Sequence, residues 1–165
     1  MPEAKKQEKR MHMTRLMTPE MSNFSGKVHG GTILKLLDEA AFSCASRYCK
    51  TYVVTASCDQ VMFKTPITVG DLVTFKCNVN YVGRCSMEIG IKVEGEKIIE
   101  KETYHAISCY FTMVSVDTNG KPLEVPRIHF ESEIEEQLFK TGQMRREMRN
   151  ELKERNLQLH VAIDT

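Results

Sequence analysis

Between Gly30 and Tyr48 the chain reads as a helix that is apolar nearly all the way round. Ile33, Leu36, Leu37, Ala40, Ala41, Cys44, Ala45 and Tyr48 leave Lys35, Glu39 and Arg47 for the wetter side. Such a helix is a central element rather than a surface one. At about 100° per residue, Asp38 falls in the middle of a stripe formed by Gly31, Leu34, Ala41, Phe42 and Ala45. A carboxylate on the buried side of a helix is costly unless it is paired. Asp38 is therefore a candidate for function, the plainer reading being a loop cap or a partner for a buried arginine.

The rest of the chain must bury this helix, and beyond Lys50 the apolar pattern changes period. Tyr52 to Phe63 is rich in β-branched and aromatic residues and stops before Pro66. Val73, Phe75, Cys77, Val79 and Tyr81 alternate with more polar neighbours, as do Met87, Ile89, Ile91 and Val93. Each run predicts a half-buried strand. Glu94 to Lys97 reads as a hairpin turn, Ile98 to Val116 as a long last strand, and Asp117 to Pro122 as its end. Met11 to Met17 alternates more weakly and predicts a first strand. Short connections force antiparallel neighbours. An antiparallel sheet wrapped around one long helix is the economical α+β solution.

Length and charge narrow the class. The 165 residues fit one domain, expected over 11–125 between a flexible lead-in at 1–10 and a helical extension at 126–165. That extension carries Ile134, Leu138, Met144, Met148, Leu152 and Leu157 in a field of charge. One or two amphipathic helices are expected there, with Thr141-Gly142 as a possible break. A formal net charge of +1 gives no global field for nucleic acid or an anionic membrane. No apolar run is long enough to span a bilayer, and the polar first ten residues do not read as a secretory signal. A cytoplasmic location is expected. Cysteines stand at 44, 49, 58, 77, 85 and 109 with no metal-ligand spacing, so no metal site is expected. Cys44, Cys58, Cys77 and Cys109 lie inside apolar patterns, where a reduced thiol acts as a small hydrophobe.

The chemistry concentrates just before the helix. Val28-His29-Gly30-Gly31 offers backbone N–H groups at the positive end of the helix dipole, and glycine lets a substrate approach them closely. An oxygen that becomes negative during a reaction can be held there. Asp38 adds a base or nucleophile and Asn23 a neutral amide able to hold a water or a carbonyl. Those are the parts needed to attack an activated acyl group.

Asn23-x-x-Gly26-x-x-x-Gly30-Gly31, followed by a helix with Leu36-x-Asp38-x-Ala40-Ala41, resembles the hotdog-fold acyl-coenzyme A thioesterases of the cytosolic long-chain acyl-CoA hydrolase type. Phe63-Lys64-x-Pro66-x-x-x-Gly70-Asp71 and Tyr81-Val82-Gly83-Arg84-Cys85-Ser86-Met87 extend the match over residues 11 to 117. The resemblance implies a hotdog fold, with two units pairing into one continuous sheet and often assembling as trimers of dimers. It implies hydrolysis of acyl-CoA to a free acid and coenzyme A without metal or organic cofactor. By the same resemblance, Asn23 of one subunit and Asp38 of another meet at the interface, and Gly31 with Gly30 polarises the thioester carbonyl. The loop Val82-Gly83-Arg84-Cys85-Ser86 would receive coenzyme A, with Arg84 on a phosphate, Lys64 as a second candidate and His29 beside the substrate. A guanidinium suits that task because it binds phosphate through paired hydrogen bonds. Many animal relatives carry two units in tandem, whereas one is read here, so the interface is expected from self-association.

Two other functions fit the same fold. One is a non-catalytic acyl-CoA sensor, which usually brings a DNA-binding helical domain that is not read here. The other is a hydroxyacyl-thioester dehydratase with His29 as base, whose histidine sits in a proline-containing loop that this chain lacks.

Overall fold

A computed structural model of the chain describes residues 7–159. It falls into two compact units, one ending at His129 and one beginning at Phe130. The first is a six-stranded antiparallel sheet with a long helix. Its strands are β1 (Arg10–Leu16), β2 (Tyr52–Cys58), β3 (Met62–Phe63), β4 (Leu72–Val82), β5 (Ser86–Lys97) and β6 (Glu102–Val116), and its helix is α1 (Gly30–Cys49). The order across the sheet is β1-β4-β5-β6-β2, and β3 continues along β6 beyond β2. The second unit is one helix, α2 (Glu133–Gln158).

Helix α1 touches β1, β2, β4, β5 and β6, so the sheet wraps it. The alternating apolar residues of the strands face it. Val73, Phe75, Cys77 and Val79 join Ile89, Ile91, Val93, Ile107, Cys109, Phe111 and Met113 around Ile33, Leu36, Leu37, Ala40, Ala41 and Cys44. Fully burying a leucine or isoleucine is worth about 1.5–3 kcal/mol relative to leaving it in water. Leu37, at 0% exposure, gains the whole of that. The helix ends where Lys50 takes a left-handed conformation (φ 59°) and returns its N–H to Ser46 O at 2.8 Å.

Four expectations need correction. The turn placed at Glu94 to Lys97 is strand, paired through Lys97↔Glu102, and the chain reverses over residues 98–101. Gly95 is the misleading signal: in a strand, glycine marks a close approach, and here the Tyr104 ring occupies the space a side chain would fill. The run from Tyr52 to Phe63 is two strands rather than one. Thr141-Gly142 does not break α2: a single glycine costs a helix only about 1 kcal/mol, and the Thr141 hydroxyl bonds back to Gln137 O and Leu138 O at 3.1 and 3.0 Å within an unbroken helix. Helix α2 starts where Ser132 Oγ accepts from Glu135 N and Glu135 Oε2 accepts from Glu131 N, a reciprocal cap. Lastly, Cys58 is exposed on β2, whereas Cys44, Cys77 and Cys109 are buried free thiols. Burial pushes the Cys44 and Cys77 thiols up to about 12, which keeps them unreactive.

The expected flexible lead-in falls partly outside the described residues, which begin at Gln7. From there the chain is tied down. Gln7 Nε2 donates to Arg127 O at 2.7 Å, Lys9 Nζ donates to His129 O at 2.7 Å, and Glu8 pairs with Arg47 at 2.9 Å and with Lys50. No described helix is long and apolar enough to cross a membrane.

Candidate active site

The loop before α1 is built around one amide. Asn23 N donates to Lys27 O at 2.6 Å and Gly26 N to Asn23 O at 3.1 Å, which closes the chain on itself. Gly26 sits at φ 75°, a value that suits glycine. The Asn23 side chain fills the inside of this loop: Oδ1 accepts from Ser25 N, Ser25 Oγ and Lys27 N at 2.9, 2.8 and 3.1 Å. The loop is anchored at its far end by Val28 N to Ile67 O and His29 N to Met21 O, at 2.9 and 2.8 Å.

Asn23 and Gly30 line one cleft of about 270 Å³ together with Lys27, Val28, Ile33, Phe63, Pro66 and Ile67. Apart from Asn23 and Lys27 its side chains are apolar, as suits a site for a substrate with a hydrocarbon part. Lys27 holds its ammonium at the Thr68 hydroxyl, 3.2 Å away.

At the helix start the structure redistributes the expected donors. His29 is the N-cap, and its Nδ1 accepts from Gly31 N at 3.1 Å. With the Nδ1 lone pair engaged, a neutral ring carries its proton on Nε2. The Gly31 N–H, expected to be open to substrate, is thus held by the chain's own imidazole. The Gly30 N–H precedes it at the first helical position, where a helix provides no internal acceptor.

Asp38 lies elsewhere. It is exposed, and so are Leu34 and Phe42 on the same arc of the helix, at 42% and 37% of their surface, whereas Ala41 and Ala45 are buried. The expected buried stripe therefore splits, and Asp38 belongs to its open half. Its partner is Thr55 of β2, whose hydroxyl donates to Asp38 Oδ1 at 2.6 Å. Thr55 was not expected from the sequence, where it is one more β-branched residue in a strand. Eight residues along α1 place Asp38 about 12 Å down the helix axis from Gly30, and it is not among the residues that line the Asn23 cleft. Within one chain, Asn23 and Gly30 are brought together and Asp38 is not.

The remaining expected contacts cluster in two places. Lys64 is exposed beside Phe63, with its N–H on Ala106 O at 2.9 Å. Val82, Gly83, Arg84 and Ser86 form the β4–β5 turn, closed by Gly83 N to Ser86 O at 2.8 Å and anchored by Val125 N to Arg84 O at 2.9 Å. Arg84 is exposed at its tip, while Val82 is 9% exposed.

Strand β2 is one of the two end strands of the sheet, and its neighbourhood is apolar where it faces outwards. Tyr52, Val54, Met62 and Phe63 are exposed at 63%, 41%, 58% and 50%, and the Tyr52 ring meets Phe42 edge-on at 5.6 Å. An uncovered apolar edge of this kind is a template for a further strand.

The family model described as the thioesterase superfamily matches residues 25–101 of this chain. The chain is 47% identical to protein VdlD of Helicobacter pylori over 137 residues, covering 83% of this chain and 78% of that protein. Among solved structures it is similar to an apo-hexameric acyl-CoA thioesterase, with a TM-score of 0.83 at 36% identity over 87% of this chain and 92% of the other. It is similar also to the acyl-CoA hydrolase of Staphylococcus aureus in complex with butyryl coenzyme A, coenzyme A and coenzyme A disulfide. There the TM-score is 0.82 at 30% identity, over 91% and 92% of the two chains. Alanine variants of that hydrolase at an asparagine, an aspartate and a threonine have been solved as well. Identity over most of the length, together with a shared sheet and central helix, makes this chain a member of the hotdog-fold thioesterase superfamily.

Proposed function

We propose that the chain hydrolyses acyl-coenzyme A thioesters to a free carboxylic acid and coenzyme A. One observation carries this reading to particular residues. In the S. aureus hydrolase the varied aspartate lies 15 residues after the varied asparagine, and the varied threonine 17 residues after that aspartate. Asn23, Asp38 and Thr55 stand at the same two separations. In this fold Thr55 and Asp38 are in hydrogen-bond contact, and Asn23 borders the cleft.

The mechanism rests on the groups these residues offer. Asp38, oriented by the Thr55 hydroxyl, attacks the thioester carbon or takes a proton from the water that does. The new C–O bond pushes negative charge onto the carbonyl oxygen, which the donors at the start of α1 and the Asn23 amide receive. Collapse of this intermediate breaks the C–S bond, and the departing thiolate takes a proton. On the base route that proton is the one Asp38 took from the water. On the nucleophile route it comes from solvent, after which a water hydrolyses the acyl-Asp38 anhydride to release the acid and restore the carboxylate. A thioester is already activated, so the proposed reaction calls for no metal or organic cofactor. Arg84 and Lys64 are proposed as phosphate contacts for coenzyme A, the first through paired hydrogen bonds, with Val82, Gly83 and Ser86 shaping the turn that receives it.

Because one chain separates Asp38 from Asn23, the complete site is proposed to form between two copies, Asn23 from one and Asp38 from the other. The exposed apolar arc of α1 and the edge strand β2 supply the contact surface. A hexamer built from three such dimers is the proposed assembly, in line with the hexameric relative, and the cytosol the proposed location. Purified protein with a thiol-detecting reagent and acyl-CoAs of graded length tests the activity. Release of coenzyme A well above an Asp38→Ala control is expected; none above that control at any length overturns the function.

A further inference from the structure

We infer that Phe24 anchors the association of two copies, its ring seated on the apolar patch around Asp38 of the partner subunit. The inference rests on the reading in which Asn23 and Asp38 come from different chains. It names a residue that holds those chains together at the site. Phe24 is the most exposed large apolar side chain among the described residues, 113% exposed against 90% for Ile99, the next. A single apolar residue on a surface is ordinary. The position of this one is not.

The loop presents the ring rather than letting it fold back. The residues on both sides of Phe24 are fixed: Asn23 N donates to Lys27 O at 2.6 Å, and Ser25 N donates to Asn23 Oδ1 at 2.9 Å. Gly26 at φ 75° reverses the chain, and Lys27 is bridged to Thr68. With the Asn23 oxygen turned into the loop, the next side chain is left outside, where no described residue covers it. A phenyl ring kept in water forgoes the free energy of burial. Keeping it there in a set conformation lowers the ordering cost of binding a partner.

Proximity to the partner follows from the shared site. A carboxylate poised to attack stands about 3–3.5 Å from the thioester carbon, and an amide that receives the oxygen stands about 3 Å from that oxygen. The Asn23 amide and the partner subunit's Asp38 carboxylate are therefore within about 8 Å of each other. Phe24 follows Asn23 at the spacing of successive Cα atoms, about 3.8 Å, so its ring has the reach of the surface that carries Asp38. That surface is apolar and open. Leu34 and Phe42 stand one turn to either side of Asp38, both exposed, and exposed Tyr52 lies edge-on against Phe42. An aromatic ring buried at the centre of a contact carries a large share of its binding energy. In a two-fold pair the contact is made twice.

Two experiments test the contact without relying on turnover. Benzoylphenylalanine incorporated in place of Phe24 cross-links on illumination to whatever the ring touches. With isotopically light and heavy chains mixed, a cross-link between chains is expected, mapped by mass spectrometry to α1 or β2 of the other copy. A cross-link within one chain or to another segment, or none at all, overturns the inference. Phe24→Ala is expected to exchange subunits about thirtyfold faster than wild type or more, because truncating an anchor acts mainly on dissociation. Phe24→Leu is expected to recover part of that loss. The ring touches nothing in its own chain, so the far-ultraviolet circular dichroism of Phe24→Ala is expected to match wild type. An unchanged exchange rate overturns the inference, and a shifted acyl-length preference beside it would place the ring on the acyl chain instead. Absence of turnover by the wild-type protein is a separate result, which overturns the hydrolase function and on which neither readout depends.

Discussion

The Thr55 hydroxyl donates to the Asp38 carboxylate across 2.6 Å, and in doing so ties helix α1 to the edge strand β2. A hydrogen bond to a charged group is worth about 1.5–3 kcal/mol, enough to hold one carboxylate oxygen and aim the other. Thr55→Val keeps the strand's shape and removes that donor. Its kcat is expected to fall about tenfold to a hundredfold, and its unfolding free energy by no more than the worth of the bond, about 1.5–3 kcal/mol. Thr55→Ser is expected to restore most of both. Steady-state kinetics beside thermal melts check both; full activity in Thr55→Val would remove Thr55 from the site.

His29 has a structural role that can be measured apart from catalysis. Its Nδ1 caps the second N–H of a helix that forms the centre of the core. Losing an N-cap side chain costs about 1 kcal/mol. His29→Ala is expected to lower unfolding free energy by about that amount in urea, and His29→Asn, an efficient cap, to recover it.

The reach of the sequence is clearest at three residues. The helix and the long strands are legible because their apolar periods differ, and burial of one face enforces each period. Asp38 is legible as a misplaced carboxylate, but not which arc of α1 stays open. A helical wheel ranks apolarity and does not say which part the sheet covers and which is left for another chain. Thr55 is illegible, because its role arises only when the fold lays β2 beside α1. Gly95 reads as a turn, because the ring that needs its missing side chain lies on a different strand.

That last contact is itself testable. Tyr104 lies over Gly95, and its hydroxyl donates to Asp71 Oδ2 at 2.5 Å, while Thr68 N reaches the same oxygen at 2.9 Å. A methyl group at Gly95 would overlap the Tyr104 ring. Gly95→Ala is expected to cost about 1–3 kcal/mol through overpacking and to loosen the turn before β4. Chemical denaturation reads the cost, and a variant as stable as wild type would refute the close packing.

Acid sensitivity should have an identifiable contributor on the sheet. Glu94 bonds Lys76 and Lys92, and these ammonium groups bring its carboxyl down from the ordinary 4.5 to about 2. A folded-state value below the unfolded one means that the stabilisation is complete above about pH 4.5. It drains away as pH falls towards 2. For a pair this open to solvent the size is about 0.5–1 kcal/mol. Glu94→Gln is expected to be less stable than wild type by that margin at neutral pH, with the gap closing towards pH 2.

Separation of Asn23 from Asp38 within the chain makes the sharpest prediction. Asn23 borders the cleft at the start of α1, whereas Asp38 lies about 12 Å along the helix axis on an arc with exposed Leu34 and Phe42. If two copies pair about a two-fold axis, each of two equivalent sites takes Asn23 from one chain and Asp38 from the other. Asn23→Ala and Asp38→Ala proteins, each inactive alone, then form mixed dimers in which one site carries both defects and the other neither. Random exchange makes half of the dimers mixed, so about a quarter of wild-type activity is expected on mixing equal amounts. Exchange is followed independently by mass spectrometry of differently tagged chains. Proven exchange without recovered activity would mean that Asn23 and Asp38 act in the same chain, and the shared site would have to be abandoned.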